Sequence, residues 1–428
     1  MDKRFFKLFA LTEAEAIALL DTPLDQLEEG DSRYVAASHL VNYSTEQSIN
    51  ALIRAVQRTD SVLANRIARR KAIESLGRLE ATQALPFIRE CLNDEDCYTV
   101  ENAVWAIGEM GTDDGAILAD IAQLLERPGQ SYRVIIHALA KLNYAPALER
   151  VRPFINSEDA PIASAATATV CRWTQDYSAM DRVVALLQSP SVFARRLCIQ
   201  DLIDAQYLDA IPDIARCPIS LVFRLRGIRA LAEAGVAANK LTFETVQPHL
   251  EQTLRDHPST LNLVHRYDQA LPLATLIHEL YETDFGRSYL ATQTLLETHP
   301  AETPAALFAT YEEEAHNDYG AHFHVMKLFG WLKHRPAYDL LIEALNNKAP
   351  QFQKSRAAAA IALGELGDTK AIPEINRVLG TPIWDLKYAA LMALEKLGDT
   401  RGAAQLLEDP DWLVRAKAQS LSAAPIPS

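Results

Sequence analysis

The apolar positions of this chain recur at the spacing of amphipathic helices. In the segment ALGELGDTKAIPEI, which begins at Ala362, an Ala-Leu-rich run ends at a Gly-Asp break and a second apolar run follows it. Apolar side chains three and four residues apart lie on one face of an α-helix. The pattern therefore predicts two amphipathic helices joined by a short turn.

This helical pair returns at a fixed interval. The segment ALEKLGDTRGAAQL begins at Ala393, 31 residues after Ala362, and SLGRLEATQALPFI and AIGEMGTDDGAILA begin 31 residues apart at Ser75 and Ala106. The period is slightly shorter than the roughly 40–47 residues of standard HEAT repeats. Alanine pairs, such as those at 359–360 and 389–390, permit close helix approach. We therefore expect an all-α fold, an α-α superhelical solenoid of compact HEAT-like repeats.

The repeat pattern also suggests how the chain is divided. Regularity fades between about residues 236 and 315, where His, Tyr and Thr replace the Ala-Leu-Gly pattern, and it returns near Lys327. We therefore expect an N-terminal repeat lobe at residues 1–235, an irregular helical segment at 236–315 and C-terminal repeats at 316–428.

Composition narrows the classes of partner. The 42 basic and 56 acidic residues give a net charge of −14, which would repel a phosphate backbone unless the basic groups were gathered on one face. Only 16 of 428 residues are glycine, about 4%, which argues against glycine-loop nucleotide folds. The composition therefore argues against a nucleic-acid partner.

The cysteines and the apolar runs bear on the compartment. The five cysteines form an odd set without a C-x-x-C pair, which fits neither a disulfide framework nor a tetrahedral zinc site. Lys7 interrupts an apolar patch around Phe5 and Phe6, so that patch does not read as a signal peptide. No apolar run approaches the ~18–20 residues that span a membrane. We therefore expect a cytoplasmic protein with no membrane span.

Phasing of the first helix of each pair predicts a binding face. If the alanine pair and leucine contact neighbouring helices, the opposite face carries cations and aromatic rings on successive repeats. Arginines bind carboxylates or phosphates, and Tyr or Trp rings form flat apolar walls. This face suits a conjugated ligand that bears carboxylates. Its members are Tyr34, Arg66, Arg70, Tyr98, Glu101, Asn102, Trp105, Arg133, His137 and Arg196.

A second interpretation competes with ligand binding for the cations. Arginines at fixed repeat positions can form ion pairs between repeats with the aspartates of the turns, and the sequence does not decide between the two roles for a single arginine. For one repeated framework position we expect the ion pairs. That position holds Arg33, Arg69, Arg195, Arg224 and Arg356. For Trp105, packing in the core is the alternative.

A cluster at residues 317–324 combines a carboxylate, a phenol and imidazoles beside a glycine break. Asp318, Tyr319, His322 and His324 could support proton transfer there. Helix capping and packed histidines are the plainer alternative. A metal site that includes His316 is disfavoured, because residues two apart on a helix point about 200° away from each other. We predict no metal site.

Two segments resemble a known family. SRYVAASHL from Ser32 resembles the R-Y-x-A-A-x-x-L signature of the E-type subunits of phycobilin lyases, and DEDCYTVENAVWAIGEMG from Asp94 resembles the adjoining family segment. The resemblance covers nearly the whole chain, and its length resembles the single-chain phycoerythrin-specific lyases and lyase-isomerases, with the E and F parts combined. Ser38 and His39 stand where the family has aromatic residues, which leaves the chromophore open.

The resemblance implies a function. It implies a cytoplasmic enzyme of a phycobilisome-containing cyanobacterium that joins a linear tetrapyrrole through a thioether to a cysteine of a phycobiliprotein subunit. We expect phycoerythrobilin as the substrate and a phycoerythrin α subunit as the acceptor, with or without isomerisation to phycourobilin. No cofactor is expected, since the bilin is the substrate, and the need for a partner lyase chain stays open.

The resemblance also gives the candidate residues their roles. Arg66, Arg70, Arg133 and Arg196 would bind the propionates, Tyr98 and Trp105 would pack on the rings, and Glu101 would hold the pyrrole N–H groups. The full predicted set for substrate binding is Tyr34, Arg66, Arg70, Tyr98, Asn102, Trp105, Arg133, His137, Arg196 and His324. The predicted acids and bases are Glu101, Asp318, Tyr319 and His322.

Two alternatives stay open at this stage. The chain could be a noncatalytic HEAT-repeat scaffold, or a chaperone that holds a bilin or a phycobiliprotein subunit, because a fold does not establish chemistry. Bilin removal, which also occurs among HEAT-like relatives, is the other. Covalent product on a denaturing gel separates a lyase from a holder.

Overall fold

A computed structural model describes residues 11–28 and 30–423, and all regular secondary structure in these ranges is helical. The all-α prediction is therefore confirmed. The apolar patch at Phe5 and Phe6 lies outside the described residues. The chain forms two compact units, Met1–Met180 (unit 1) and Asp181–Ser428 (unit 2). This division precedes the boundary that the repeat pattern suggested after residue 235, and the segment 236–315 lies inside unit 2.

Unit 1 is a stack of helical pairs, in which the first helices of neighbouring repeats pack on one another. A buried apolar core runs between the first and second helices, from Ala16 to Val170. The helices are α1 (Glu13–Asp21), α2 (Arg33–His39), α3 (Glu46–Val56), α4 (Leu63–Arg78), α5 (Leu85–Glu90), α6 (Cys97–Met110), α7 (Gly115–Gln123), α8 (Tyr132–Lys141), α9 (Leu148–Val151) and α10 (Ala160–Thr174). The first helices are α2, α4, α6, α8 and α10.

Unit 2 has the same construction around its own apolar core. A π-helical turn, Tyr311–Ala315, extends one of its helices. The helices are α11 (Asp181–Val184), α12 (Val192–Asp204), α13 (Ile211–Arg216), α14 (Leu221–Ala237), α15 (Phe243–Arg255), α16 (Leu273–His278), α17 (Phe285–Thr298), α18 (Thr303–Thr310), α19 (Tyr319–Trp331), α20 (Tyr338–Asn346), α21 (Gln353–Leu366), α22 (Ile372–Val378), α23 (Trp384–Lys396) and α24 (Trp412–Ala423). No helix within the described ranges is long and apolar enough to span a membrane.

The backbone repeats the sequence period at the turn that follows each first helix. Five successive turns contain a residue with positive φ, and these residues are 31 or 32 positions apart. Four of the five are not glycine, although positive φ is uncommon for other residues. The repeat therefore makes its turns with few glycines, in agreement with the low glycine content. The five are Glu80, Gly111, Asn143, Gln175 and Gln206, with φ from 51° to 73°.

Small residues allow adjacent first helices to approach closely. A Cβ atom added to Gly330 would lie 2.7 Å from the Cα of Ala362, and one added to Gly364 would lie 2.9 Å from the Cα of Ala393. Real Cβ atoms do not approach this closely, so glycine is needed at both contacts. The predicted role of small residues in close helix approach is confirmed.

The framework arginines are buried and join consecutive repeats. Arg69 Nε donates to Val56 O at 2.6 Å, and Arg356 Nε donates to Leu345 O at 2.9 Å. Each therefore binds a carbonyl at the end of the preceding second helix, where helical carbonyls lack partners. The predicted ion pairs are confirmed for three members, which pair as Arg69–Asp94, Arg195–Asp284 and Arg224–Asp256. Arg33 instead bonds to Thr22 O and Asn65.

Candidate functional site

Unit 2 contains a cavity of about 880 Å³. Its walls are the first helix α14, the beginnings of α19 and α21, and the beginning of α23. This volume is within the range of small-molecule sites, roughly 300–1,000 Å³. The lining includes Phe223, Arg226, Arg229, Glu233, Tyr319, Lys354, Trp384 and Asp385.

Helix α14 supplies one wall through its periodicity. Phe223, Arg226, Ala230 and Glu233 follow one another at intervals of three and four residues, so they lie on one face of the helix. The opposite face holds Leu221, Leu225 and Ile228 in the core. The wall is therefore polar and aromatic because the helix is amphipathic.

Arg229 links this wall to the last two helices of unit 2. Its guanidinium lies 4.7 Å from the centre of the Trp384 ring, and its Nη1 lies 2.6 Å from Asp411 Oδ2. Its Nε donates to Glu233 at 2.8 Å, and Trp412 Nε1 donates to the same carboxylate oxygen at 3.3 Å. A cation stacked on an indole and held by two carboxylates keeps Trp384 in place as a flat wall.

The cavity also has a less constrained cation. Arg226 donates to Gln200 and remains exposed, so its guanidinium is accessible to an anionic ligand. Arg196, one of the predicted substrate-binding residues, lies next to this wall, because its guanidinium is 5.3 Å from the centre of the Phe223 ring. It also donates to Thr283 O at 3.3 Å. The cation-and-aromatic character predicted for the binding face is present here.

Two ionisable groups in the lining have shifted pKa values. Lys354 is nine-tenths buried, and burial lowers its pKa to about 7 against the opposing charges of Asp256 and Asp318. Burial raises the pKa of the Asp385 carboxyl, although a backbone hydrogen bond from Leu386 opposes the shift. Shifted groups in a cavity are candidates for acid–base work.

The predicted cluster at 317–324 divides between the cavity and the core. Tyr319 is 48% exposed and lines the cavity. Asp318 caps α19, because its Oδ1 accepts the backbone N–H groups of Gly320 at 2.8 Å and Ala321 at 2.7 Å. Asp318 is thus explained by helix capping, and Tyr319 is the member that a ligand in the cavity would reach.

His322 and His324, predicted as an acid–base residue and a substrate-binding residue, lie in the core and do not line the cavity. Their relative exposures are 1% and 0%. The His322 ring is 4.5 Å from that of Phe352, and the His324 ring is 4.8 Å from that of Phe285. Burial lowers the pKa of His322 to about 4 and that of His324 well below its usual value. The plainer alternative of packed histidines describes both. In the part of the chain described here, no three metal-binding side chains are grouped.

The predicted residues of unit 1 lie along α2, α4, α6 and α8, and the structure brings several of them together. The Lys71 ammonium lies 5.0 Å from the centre of the Tyr34 ring, and the Arg70 guanidinium lies 4.9 Å from that of Tyr98. Tyr34 is 43% exposed and Tyr98 59%. The phasing thus placed cations beside aromatic rings, on an open face.

The cations of this face already have protein partners. Arg70 and Arg66 pair with Asp96 at 2.6 and 3.1 Å. Burial raises the pKa of Asp96, but hydrogen bonds from Thr99 and Arg70 outweigh it and leave the pKa below its usual value. The ion-pair alternative therefore describes Arg66 and Arg70. A depression of about 380 Å³ adjoins them.

The other predicted residues of this face also make local contacts. Arg133 donates to Pro161 O, Glu101 accepts from Ser131, and Asn102 donates to Tyr98 O at 2.7 Å. Trp105 and His137 are half-buried, and Trp105 packs against the core of unit 1. A role in ligand binding stays a prediction for all of these residues.

Sequence reasoning missed Lys354, Trp384 and Asp385. One signal was available: Trp384 lies 31 residues after Gln353, so it occupies an equivalent repeat position that also lines the cavity. Nothing in the periodicity pairs α14 with α23, however, because that contact depends on how the intervening helices of unit 2 curve.

Comparison with known proteins gives three findings on sequence. Residues 61–129 and 338–422 match the model of HEAT repeats. A protein of Pseudanabaena tenuis named uncharacterized phycocyanin operon protein Y is 63% identical over 98% of this chain and 100% of its own length. The bilin biosynthesis protein CpeY of a Synechococcus strain is 32% identical over 90% of this chain and 96% of its own length.

Among solved structures, the chain is similar to one from the complex of CpcE and CpcF of phycocyanin lyase from a Nostoc strain. The identity is 24%, the TM-score is 0.49, and the match covers 57% of this chain and 94% of that one.

Proposed function

This chain belongs to the E/F-type family of phycobilin lyases, and from that premise we propose that its unit 2 cavity binds a bilin for attachment to a phycobiliprotein subunit. The observation that carries the proposal is the lining of the cavity. Three aromatic rings, Phe223, Tyr319 and Trp384, stand around a volume of about 880 Å³ with a guanidinium, Arg226, accessible at its wall.

This lining suits the chemistry of a linear tetrapyrrole. A bilin is a flat conjugated chain, which aromatic rings contact with little loss of conformational entropy. Its propionates require cations, and Arg226 is exposed while Arg229 is held by Glu233 and Asp411. We assign one propionate to Arg226 and the packing of the rings to Trp384 and Phe223.

The reaction needs positioning more than a nucleophile from this chain. The acceptor cysteine supplies the thiolate, whose sulfur forms a bond to one carbon of a bilin C=C while a proton adds to the other carbon. Holding both reactants in one geometry contributes a large part of such a rate enhancement, and delivery of the proton contributes typically 10²–10⁴-fold. The cavity fixes which face of the bilin the acceptor meets.

The finer specificity is a proposal from the sequence resemblance. We propose phycoerythrobilin as the bilin and the phycoerythrin α subunit as the acceptor, in the cytoplasm of a cyanobacterium. A second lyase chain as a partner, and isomerisation to phycourobilin, stay predictions. For isomerisation, Tyr319 is the candidate that the cavity exposes, with its OH available for proton transfer.

One experiment tests the proposal. The chain is co-produced with phycoerythrobilin and the phycoerythrin α subunit, and chromophore fluorescence is recorded on a denaturing gel. We expect a fluorescent subunit that requires this chain and is lost when the acceptor cysteine is replaced by alanine. Phycocyanin subunits with phycocyanobilin form a second arm, since the 63% identical relative is named for a phycocyanin operon.

Each result has a distinct meaning. Product on the phycocyanin subunit alone would overturn the proposed acceptor and keep the lyase. Fluorescence that is present in native samples and lost on denaturation would identify a noncatalytic holder. Absorbance of the covalent product distinguishes simple attachment from isomerisation, because the double-bond shift shortens the conjugated system.

A further inference from the structure

Lys354 occupies an unusual environment at the floor of the unit 2 cavity. It is the second residue of α21 and nine-tenths buried, and it belongs to the cavity lining. Its ammonium lies 4.1 Å from the ring centre of Phe285, 4.5 Å from that of Tyr319 and 5.0 Å from that of Phe323. Across the described residues, no oxygen atom forms a hydrogen bond or ion pair with its Nζ. Three aromatic faces surround a cation that has no anionic partner.

Other buried lysines of unit 2 have oxygen partners. Lys327 Nζ donates to Leu254 O at 2.7 Å and to Arg255 O at 3.0 Å. Lys387 pairs with Asp409 at 2.5 Å, and Lys417 pairs with Glu251 and Glu395. These contacts offset the desolvation of the charge, as buried cations usually require. Lys354 lacks this compensation, so its position costs stability, and such a cost at a cavity points to function.

The environment also makes Lys354 able to exchange a proton near neutrality. Burial lowers its pKa to about 7, so charged and neutral forms coexist at physiological pH. Aromatic faces favour the charged form through the ring quadrupole but accept no proton from it. The titratable groups that face it from the surrounding elements are Asp256, Asp318, Tyr319, His322, His324 and Asp385.

We propose that Lys354 is the acid that gives the proton to the bilin carbon as the acceptor thiolate adds; this rests on the proposed function. The thiolate electron pair forms the S–C bond, the π bond of the bilin C=C breaks, and its electron pair takes a proton from Nζ to form the new C–H bond. The neutral amine regains from water the proton that the acceptor thiol released. The net reaction adds S–H across C=C and needs no oxidant or reductant.

The neighbouring candidates are less suited to this step. Asp318 Oδ1 accepts two backbone N–H groups at the start of α19, which holds that carboxylate in its ionised form. The Tyr319 ring is part of the wall around the ammonium. Lys354 therefore combines a proton, access to the cavity and freedom from other partners.

The test compares Lys354→Met with the wild-type chain, using phycoerythrobilin and the phycoerythrin α subunit. Methionine keeps the length and volume of the side chain but cannot donate a proton. We expect the single-turnover rate of attachment to fall about 100-fold, while the Kd for phycoerythrobilin, from absorbance titration, stays within about threefold. Lys370→Met, at an exposed lysine, is the matched control and should behave as wild type.

A pH profile gives an independent readout. In the wild type the rate should fall above about pH 7 as the amine loses its proton. In Lys354→Met this descending limb should be absent, and the residual rate should rise with pH as the acceptor thiol ionises. The variant should also melt at a higher temperature than wild type, by about 2–4 °C, because a buried cation without a counter-charge has been removed.

Other results would overturn the inference. An equal loss of affinity and rate in Lys354→Met, both restored by Lys354→Arg, would show that this residue holds a propionate. A wild-type rate in Lys354→Met would exclude any role in the reaction while the lyase assignment stands. If the wild-type chain itself gives no covalent product, the proposed function fails, and the role of Lys354 fails with it.

Discussion

Arg224 and Asp256 form an ion pair in which neither side chain has any exposed surface. The Tyr289 hydroxyl completes a triad, because it accepts from Arg224 Nη2 and donates to Asp256 Oδ2, each at 2.9 Å. Arg224 also donates to Ile219 O at 3.0 Å and Ala215 O at 3.2 Å. The pair therefore joins α14, α17 and the turn after α15 with all its donors in use.

Removal of Arg224 should destabilise unit 2 strongly. In Arg224→Met the Asp256 carboxylate stays buried without its counter-charge, which typically costs about 3–5 kcal/mol. The free energy of unfolding from urea titration at pH 7 measures this loss. Arg216→Met is the control, since Arg216 forms an exposed pair with Asp213 and should contribute under about 1 kcal/mol. Similar losses in the two variants would refute the structural role assigned to the triad.

Gly364 should tolerate no side chain. Gly364→Ala forces a Cβ to 2.9 Å from the Cα of Ala393, so α21 and α23 must separate. We expect a loss of about 1–3 kcal/mol in the free energy of unfolding, as for other overpacked contacts. Gly115→Ala in α7, where nothing lies within 4 Å of the new Cβ, should be neutral or stabilising because alanine favours helix. A neutral Gly364→Ala would mean that the repeats separate freely.

Trp384 should determine bilin affinity. Trp384→Leu removes a flat wall of the cavity, and we expect the Kd for phycoerythrobilin to rise about tenfold, equivalent to about 1.4 kcal/mol. Absorbance titration measures it. Phe193→Ala removes an aromatic ring that is 69% exposed and outside the cavity lining, so its Kd should match wild type.

The aromatic face of unit 1 provides the competing test. Tyr98→Ala removes a ring that the sequence placed in the binding face, and the cavity assignment predicts a smaller change in Kd than for Trp384→Leu. The reverse order would transfer bilin binding to unit 1 and restore the prediction made from phasing. Circular dichroism of both variants checks that the helices are intact.

His322 should make the protein sensitive to acid. Its pKa is about 4 in the folded state and 6.5 is its ordinary value, so between these values the unfolded chain binds more protons at this site. Stability contributed by neutral His322 is complete above about pH 6.5 and is lost as the pH falls towards 4, by up to about 1.4 kcal/mol per pH unit.

The variant His322→Leu isolates this contribution from the other histidines. The difference in free energy of unfolding between wild type and variant should shrink or change sign as the pH is lowered from 7 to 4.5. A difference that does not depend on pH would show that His322 titrates normally in the folded state.

The fold was largely predictable because a repeat writes its period into the sequence. Helical pairs, close approach of small residues and the ion pairs of Arg69, Arg195 and Arg224 all follow from local spacing. The cavity did not follow, since α14 and α23 meet only after the helices between them have packed. His322 and His324 were misleading because α19 is buried on every side from Gly320 to Gly330, so a helical phase does not identify an exposed face there.

The contacts of Arg229 and Glu233 with Asp411 and Trp412 have a consequence for biosynthesis. The wall that begins at α14 is completed by residues some 180 positions further along the chain, at the start of α24. A nascent chain on the ribosome therefore exposes Arg229 and Trp384 before their last partners have been translated. Truncated products that end before Asp411 lack a finished cavity, so only chains translated past that point can compete for the cell's bilin.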